Sequence, residues 1–186
     1  WGGVVPDSLE DLDTLIQAGV LGVKSFTIHS GIDDFPKVEQ QHLYQAIGTL
    51  AKYDVPYLIH AELDKDEQEP PAIGDKYQSF LSSRPKTWEN DAIDMLIDLA
   101  EKAKAEGVSG RIHIVHLSSA EALPAIKSAQ QRGLKLTAES CPHYLTLFAE
   151  EIPDGKTLFK CCPPIREQSN RRSEEHTSEL QSPDHL

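Results

Sequence analysis

The sequence predicts an α/β fold, specifically a partial (β/α)8 barrel built from about four consecutive βα units. Short apolar segments alternate along the 186 residues with longer segments whose apolar residues recur at helical spacing. The short segments lack the polar–apolar alternation of a half-exposed sheet, which indicates parallel strands covered by helices. An open, doubly wound sheet is the alternative topology, but no glycine-rich phosphate-binding loop follows any apolar segment.

The first part of the chain contains two helices, each followed by a strand. A helix is expected at residues 7–18, because its apolar residues fall on one face and Gly19 follows as a stop signal. The apolar run at residues 20–27 is the first predicted strand. Residues 36–53 carry one apolar stripe and form the second helix. Pro56 opens the next strand, where a missing N–H group does least harm.

The middle of the chain begins with an acidic, proline-containing stretch at residues 62–78, which is typical of a loop. A long helix is predicted at residues 85–106, where apolar residues recur at helical spacing and Gly107 ends the pattern. Residues 111–117 then form the third strand.

The last predicted unit starts at Ser118–Glu121, whose residue types match a capping box at a helix N-terminus. Gly133 stops this helix, and residues 134–140 form the fourth strand. Residues 141–166 are rich in proline and are expected to be mostly irregular.

Composition excludes several classes of function. The net charge of −12, from 18 basic and 30 acidic residues, argues against nucleic-acid binding. No apolar run is long enough to span a bilayer, and no secretory signal opens the sequence. The three cysteines form no CxxC pair and no even framework, so we expect reduced thiols in a cytoplasmic protein.

Both ends of the sequence are unusual. The chain opens on Trp1 without an initiator methionine, which suggests an internal fragment. Residues 173–186 have almost no apolar content, and together with Arg172 their start resembles a translated sequencing adapter. We therefore expect residues 1–172 to form an incomplete barrel and residues 173–186 to be a non-native, disordered tail. A native disordered terminus is the alternative.

Three side chains that suit a metal site lie at or near the C-terminal ends of predicted strands: Lys24, His60 and His116. In a barrel of parallel strands, distant residues converge at these strand ends. Neutral imidazole is a good zinc ligand. A lysine in an apolar strand loses hydration, which favours a neutral amine able to add carbon dioxide and become a carbamate ligand.

Each of these residues also has a simpler explanation. A single histidine is more often a hydrogen-bonded structural residue, and Lys24 could extend its amine into solvent at the strand end. His113 lies three positions before His116, so strand alternation predicts that it faces the other side of the sheet, in packing or hydrogen bonding. The case for a metal site therefore depends on all three candidates meeting at one place.

Several segments together resemble the allantoinases, cyclic amidohydrolases related to dihydropyrimidinases, hydantoinases and dihydroorotases. The resemblance runs across residues 1–172 and is carried by Trp1–Pro6, Gly22–Phe26, Ser30–Pro36, Leu58–Glu62, His116–Ser119, Glu139–Leu145 and Lys160–Arg166. It implies a distorted barrel of the metal-dependent hydrolase type that holds two divalent metal ions, usually zinc.

The resemblance also implies roles for individual residues. Lys24 matches the carboxylated lysine that bridges the two metals, and His60 and His116 match the histidine ligands of the more exposed one. Cys162 matches a position, often serine, whose backbone contacts the ring amide of the substrate. Two family features have no match in this sequence: the His-x-His pair of the first strand and the aspartate of the last strand, which moves the proton.

The expected function is hydrolysis of the hydantoin ring of allantoin to allantoate, by a complete protein that binds a small-molecule substrate and forms a homo-oligomer. The 186-residue chain alone is expected to be inactive. A dihydropyrimidinase, hydantoinase or dihydroorotase is the first alternative. A non-catalytic scaffold is the second, although such relatives usually lose metal ligands.

Overall fold

A computed structural model describes residues 1–64 and 72–171 of the chain. Five strands form one parallel sheet in sequential order: β1 Gly2–Gly3, β2 Val23–Phe26, β3 Pro56–His60, β4 Arg111–Ile114 and β5 Leu136–Ala138. Six α-helices lie between and after them: α1 Leu12–Gln17, α2 Gln40–Ala51, α3 Tyr77–Ser83, α4 Lys86–Ala105, α5 Leu123–Gln131 and α6 Pro142–Thr146. This βα alternation with purely parallel pairing confirms the α/β prediction.

Four short 3-10 helices complete the described secondary structure, at Pro6–Asp11, Ala120–Ala122, Ala149–Glu151 and Thr157–Phe159. No helix in the described ranges is both long and apolar enough to cross a membrane. The predicted tail at residues 173–186 lies outside the described residues.

One face of the sheet packs against the helices to form the main core. Alternate strand residues such as Tyr57, Ile59, Ile112 and Ile114 are buried against apolar residues of α2 and α4. A second, smaller core joins α3 to the segments after β5 and includes Phe80. The long connections after β3 and β5 are therefore anchored to each other.

The other face of the sheet carries the strand residues that alternate with those of the core. Register pairs Lys24 of β2 with Leu58 of β3, and Leu58 with His113 of β4, so these three side chains lie in one row. A groove of about 640 Å³ lies on this face, with Leu58, His113 and Thr137 in its lining. This is the face on which the candidate site residues are found.

Three local predictions were wrong. Strand β1 was missed because Gly2 and Gly3 carry no apolar pattern. A Cβ atom on Gly2 would lie 2.5 Å from the side chain of Leu15, so glycine allows α1 to pack closely here without a shift of that side chain. Helix α3 begins at Tyr77, inside the stretch predicted as a loop at residues 62–78. The prediction for residues 141–166 is confirmed, since α6 and two 3-10 turns are short elements in a mostly irregular stretch.

The third wrong prediction concerns the start of α5. Ser118 and Ser119 do not form a capping box, because no side chain of that segment bonds back to the helix start. The amides of both serines donate instead to the carboxylate of Glu89, which lies on α4. The helix start is therefore stabilised by a distant residue and not by its own sequence.

Candidate metal centre

Strands β2 and β3 place Lys24 and His60 on the same face of the sheet. Register pairs Lys24 with Leu58 and Phe26 with His60, so Phe26 and His60 are direct neighbours. The Lys24 Nζ atom lies 3.6 Å from the centre of the Phe26 ring, and that ring lies 5.1 Å from the His60 ring. The Phe26 ring thus lies close to both the amine and the His60 imidazole.

His60 and His116 are in direct contact. The Nδ1 atom of His60 lies 3.1 Å from the Nε2 atom of His116, and the ring centroids are 4.7 Å apart. His60 ends β3, whereas His116 lies two residues beyond the last residue of β4. The backbone of His116 has a φ of 45°, a left-handed conformation that is uncommon for residues other than glycine. The chain therefore bends here, which brings the two rings together.

His60 is also bonded on its other side. Its Nε2 atom lies 2.6 Å from Oε2 of Glu62, a carboxylate with no exposed surface. Arg84 binds the same carboxylate through two atoms, Nε at 3.2 Å and Nη2 at 2.5 Å. Burial tends to raise the pKa of Glu62, but the bonds from His60 and Arg84 outweigh it, so the net pKa shift is downward.

These contacts define the protonation of both imidazoles. An ionised Glu62 can only accept a hydrogen bond, so Nε2 of His60 carries a proton and donates it. When the His60 ring is uncharged, its Nδ1 atom can only accept, so Nε2 of His116 donates in the 3.1 Å contact between them. Burial is the main cause that lowers the pKa of His116 to about 4, and the charge of Lys24 and any charge on His60 act in the same direction. His116 is therefore neutral near pH 7, as metal ligation requires.

The amine of Lys24 is also perturbed. Burial lowers its pKa to about 7, and its one hydrogen bond in the described region goes from Nζ to the carbonyl oxygen of Ser25, at 2.9 Å. A substantial fraction of this amine is uncharged near pH 7, which makes it a nucleophile.

The geometry of the histidine pair fits one shared cation. Two nitrogen ligands 2.0–2.1 Å from a tetrahedral zinc ion lie about 3.3 Å apart, close to the 3.1 Å between Nδ1 of His60 and Nε2 of His116. The buried carboxylate on the far nitrogen of His60 matches the usual partner of a ligating histidine. In residues 1–64 and 72–171, no three His, Cys, Asp or Glu side chains form a potential metal cluster.

Cys162 makes no recorded contact with His60 or His116 in the part of the chain that the structure describes. Cys162 is exposed, and a cis peptide bond links it to Pro163. The charges of Arg84 and Glu62 both act on its thiol. Burial is the main cause that raises the pKa of this thiol.

One site-related expectation was wrong. His113 pairs in register with Leu58 and so lies on the same face as Lys24 and His60. Strand alternation does not continue to His116, because β4 ends at Ile114 and the chain then bends. The expected hydrogen bonding is confirmed: Nδ1 of His113 lies 2.8 Å from Oγ1 of Thr137.

Sequence reasoning missed the buried charges around the site: Glu62, Arg84, Glu89 and Arg166. Glu62 could have been noticed, because it lies two positions after His60 and so on the same side of an extended chain. Arg84 and Glu89 gave no local signal, because each lies more than 20 residues away in sequence from the group that it contacts.

Comparisons with known proteins identify the relatives. No family model matches the chain. It is 46% identical to allantoinase of Saccharomyces cerevisiae, over 92% of this chain and 38% of the yeast protein. It is 46% identical to allantoinase of Arabidopsis thaliana (92% and 36%) and 44% identical to a mitochondrial allantoinase of Aquarana catesbeiana (93% and 35%). The chain thus spans well under half the length of these curated relatives.

Solved structures with a similar backbone are hydantoinases. L-hydantoinase (dihydropyrimidinase) from Arthrobacter aurescens aligns with 97% of this chain and 40% of its own, with a TM-score of 0.85 and 24% identity. Dihydropyrimidinase from Brevibacillus agri aligns with 92% of this chain and 37% of its own, with a TM-score of 0.76 and 22% identity. At these identities the likeness shows a common fold. The chain is therefore homologous over nearly its whole length to a segment of the allantoinases, and it shares the fold of the hydantoinases.

Proposed function

We propose that the complete protein hydrolyses the hydantoin ring of allantoin to give allantoate, at a centre of two divalent metal ions, most simply zinc. The observation that carries this proposal is the histidine pair, whose Nδ1 and Nε2 atoms face each other at 3.1 Å on the same face as Lys24. The choice of allantoin rests on the relatives named allantoinase at 44 to 46% identity.

His60 and His116 would hold one ion through the two nitrogens that face each other. Glu62 keeps the proton of His60 on Nε2, so that Nδ1 stays free to bind. Nδ1 of His116 is buried and has no hydrogen-bond partner in the described part of the chain. Nε2 of His116 makes its hydrogen bond with Nδ1 of His60, and an ion held between the two rings would replace that bond.

Lys24 would bridge the two ions as a carbamate. Its neutral amine nitrogen forms a bond to the carbon of carbon dioxide and loses one proton, which leaves a carboxylate group on the side chain. The low pKa of Lys24 favours this reaction, since a protonated amine has no lone pair to react. The backbone at Cys162 would bind the ring amide of the substrate.

When bound, such metal ions lower the pKa of a water molecule and polarise the carbonyl group that it attacks. The residues of this chain supply ligands and orientation, and we assign no proton transfer to them.

The test is the replacement of Lys24 by Ala in the complete protein. We expect metal-dependent turnover of allantoin to be abolished and then partly restored by a short-chain carboxylic acid, which can replace the carbamate. Unchanged activity of Lys24→Ala would contradict the role of Lys24. Comparing allantoin with dihydrouracil and dihydroorotate as substrates separates the proposed activity from that of a dihydropyrimidinase, hydantoinase or dihydroorotase.

A non-catalytic scaffold is the other alternative, and metal analysis distinguishes it from a metal-dependent hydrolase. The complete protein should retain stoichiometric zinc after dialysis, whereas a scaffold should hold none. The homo-oligomeric state and the cytoplasmic location are parts of the same proposal, and light scattering of the complete protein tests the first of them.

A further inference from the structure

The loop that follows His116 is held by two side chains from other parts of the chain. Glu89 of α4 is almost fully buried, and its two carboxylate oxygens accept the amides of Ser118 at 2.8 Å and Ser119 at 2.7 Å. The next amide, of Ala120, donates to Oδ1 of Asn170 at 2.9 Å. Three consecutive backbone amides therefore have side-chain acceptors that lie far away in sequence.

Asn170 also binds this loop in the reverse direction. Its Nδ2 atom donates to the carbonyl oxygen of Ser118 at 2.8 Å, and the hydroxyl of Ser118 donates to the carbonyl oxygen of Pro164 at 2.6 Å. Ser118 is thus fixed through its amide, its carbonyl and its side chain, and it has no exposed surface. Few conformations of residues 118–120 are compatible with all of these bonds.

The position of this loop determines the position of His116. His116 lies two residues before Ser118, and its left-handed backbone is unfavourable for a residue with a side chain. Such a conformation persists only where the surrounding structure enforces it. Directly after His116, the amide of Leu117 donates to the carbonyl oxygen of Glu139 and its carbonyl accepts from the hydroxyl of Ser140. The bonds to residues 118–120 follow at once and extend this restraint of the chain after His116.

A second buried arginine lies near Glu89. The Nη1 atom of Arg166 donates to the carbonyl oxygen of Arg84 at 2.6 Å, and the charge of Arg166 acts on Glu89. Through the carbonyl of Arg84, the surroundings of Glu89 are therefore linked to the Glu62–Arg84 ion pair behind His60.

We propose that Glu89 is a positioning residue for His116, which it holds at the distance from His60 that a shared metal ion requires by fixing residues 118–120 together with Asn170. This inference rests on the proposed function, because it takes His60 and His116 as ligands of one ion. It differs from a purely structural role, since it predicts a change in metal affinity in a protein that is still folded.

The test measures cobalt(II) affinity of the complete protein by competition with a chelator, together with the visible absorption spectrum of the bound cobalt. Glu89→Gln preserves side-chain volume but presents an NH2 group to one of the two amides. We expect affinity to fall about tenfold or more, as for other residues that orient a metal ligand, with a changed cobalt spectrum. Glu121→Gln, at an exposed glutamate in the 3-10 helix Ala120–Ala122, is the matched control and should change neither.

A second variant keeps the test decisive if Glu89→Gln fails to fold. Asn170→Ala removes the other anchor of the loop without touching a buried charge, and we expect it to weaken cobalt binding several-fold. Wild-type affinity and spectrum in a folded Glu89→Gln protein, or in Asn170→Ala when Glu89→Gln does not fold, would overturn the inference. Failure of the unmodified protein to bind cobalt would instead reject the proposed function.

Discussion

Glu62 and Arg84 form a two-point ion pair directly behind His60. Nη2 of Arg84 lies 2.5 Å from Oε2 of Glu62, the same oxygen that lies 2.6 Å from Nε2 of His60. The carboxylate is fully buried, whereas the Arg84 side chain is 19% exposed. The arginine therefore compensates a charge that could not otherwise remain ionised there, and the ionised carboxylate in turn fixes the tautomer of His60.

Glu62→Gln tests this relationship. The neutral amide leaves Arg84 without a charged partner and no longer favours a proton on Nε2 of His60, so metal affinity of the complete protein should fall about 10- to 100-fold. Stability should fall by about 1 to 3 kcal/mol, as measured by urea unfolding. Asp64→Asn is the control, because its ion pair with Lys37 is solvent-exposed and worth at most about 1 kcal/mol. Equal effects of both variants would contradict the special role of Glu62.

The pH dependence of the unfolding free energy should reveal the raised pKa of Glu89. Burial raises its pKa from the ordinary 4.5 to about 7, although the bonds from Ser118 and Ser119 and the charge of Arg166 oppose this shift. The folded state therefore binds more protons than the unfolded state between pH 4.5 and 7, so the contribution of Glu89 to stability falls as pH rises through this window. The loss should be about 2 to 3 kcal/mol.

Comparison with Glu89→Gln isolates this contribution. The amide does not titrate, so the difference in unfolding free energy between wild type and variant should decrease steadily from pH 4.5 to 7. Glu62 does not interfere, because its pKa is lowered and its contribution changes only below pH 4.5. A difference that is constant or that grows with pH would show that Glu89 is ionised throughout.

Features set by residues close together in sequence were predicted, whereas features set by contacts between distant residues were missed. Helix α4 was predicted within one residue at each end, because Pro85 and Gly107 bound a long apolar stripe. Convergence of His60 and His116 was predicted from strand ends alone, a property of parallel sheets. Strand β1 was missed because its glycines are selected by packing against Leu15 and Phe35, which no local pattern reveals.

The residues that support the histidine pair could not be predicted from local sequence patterns for the same reason. Arg84 lies 22 residues from Glu62, and Glu89 lies 29 residues from Ser118, so each contact exists only once α4 has packed beside β3 and β4. A buried charge in an amphipathic helix is a weak signal by itself, because most helix glutamates are solvated.

Two glycines should respond to alanine in opposite directions. A Cβ atom on Gly22 would lie 2.7 Å from the carbonyl oxygen of Pro56, a backbone atom at the start of β3 that cannot rotate away. Gly22→Ala should therefore destabilise the chain by about 1 to 3 kcal/mol. Gly48 lies inside α2 with nothing within 4 Å of the added Cβ atom, so Gly48→Ala should stabilise by about 1 kcal/mol. Urea unfolding followed by tryptophan fluorescence measures both, and equal effects would refute the packing of β2 against β3.

The 186-residue chain alone should not hydrolyse allantoin, although the complete protein should. Only Lys24, His60 and His116 are assigned as ligands here, and two metal ions with an open position for water require more than three ligands between them. Assays of both proteins at equal concentration with added zinc provide the measurement, with the Lys24→Ala complete protein as the inactive reference. Turnover by the 186-residue chain above that reference would show that these three residues suffice, and the two-metal proposal would then have to be abandoned.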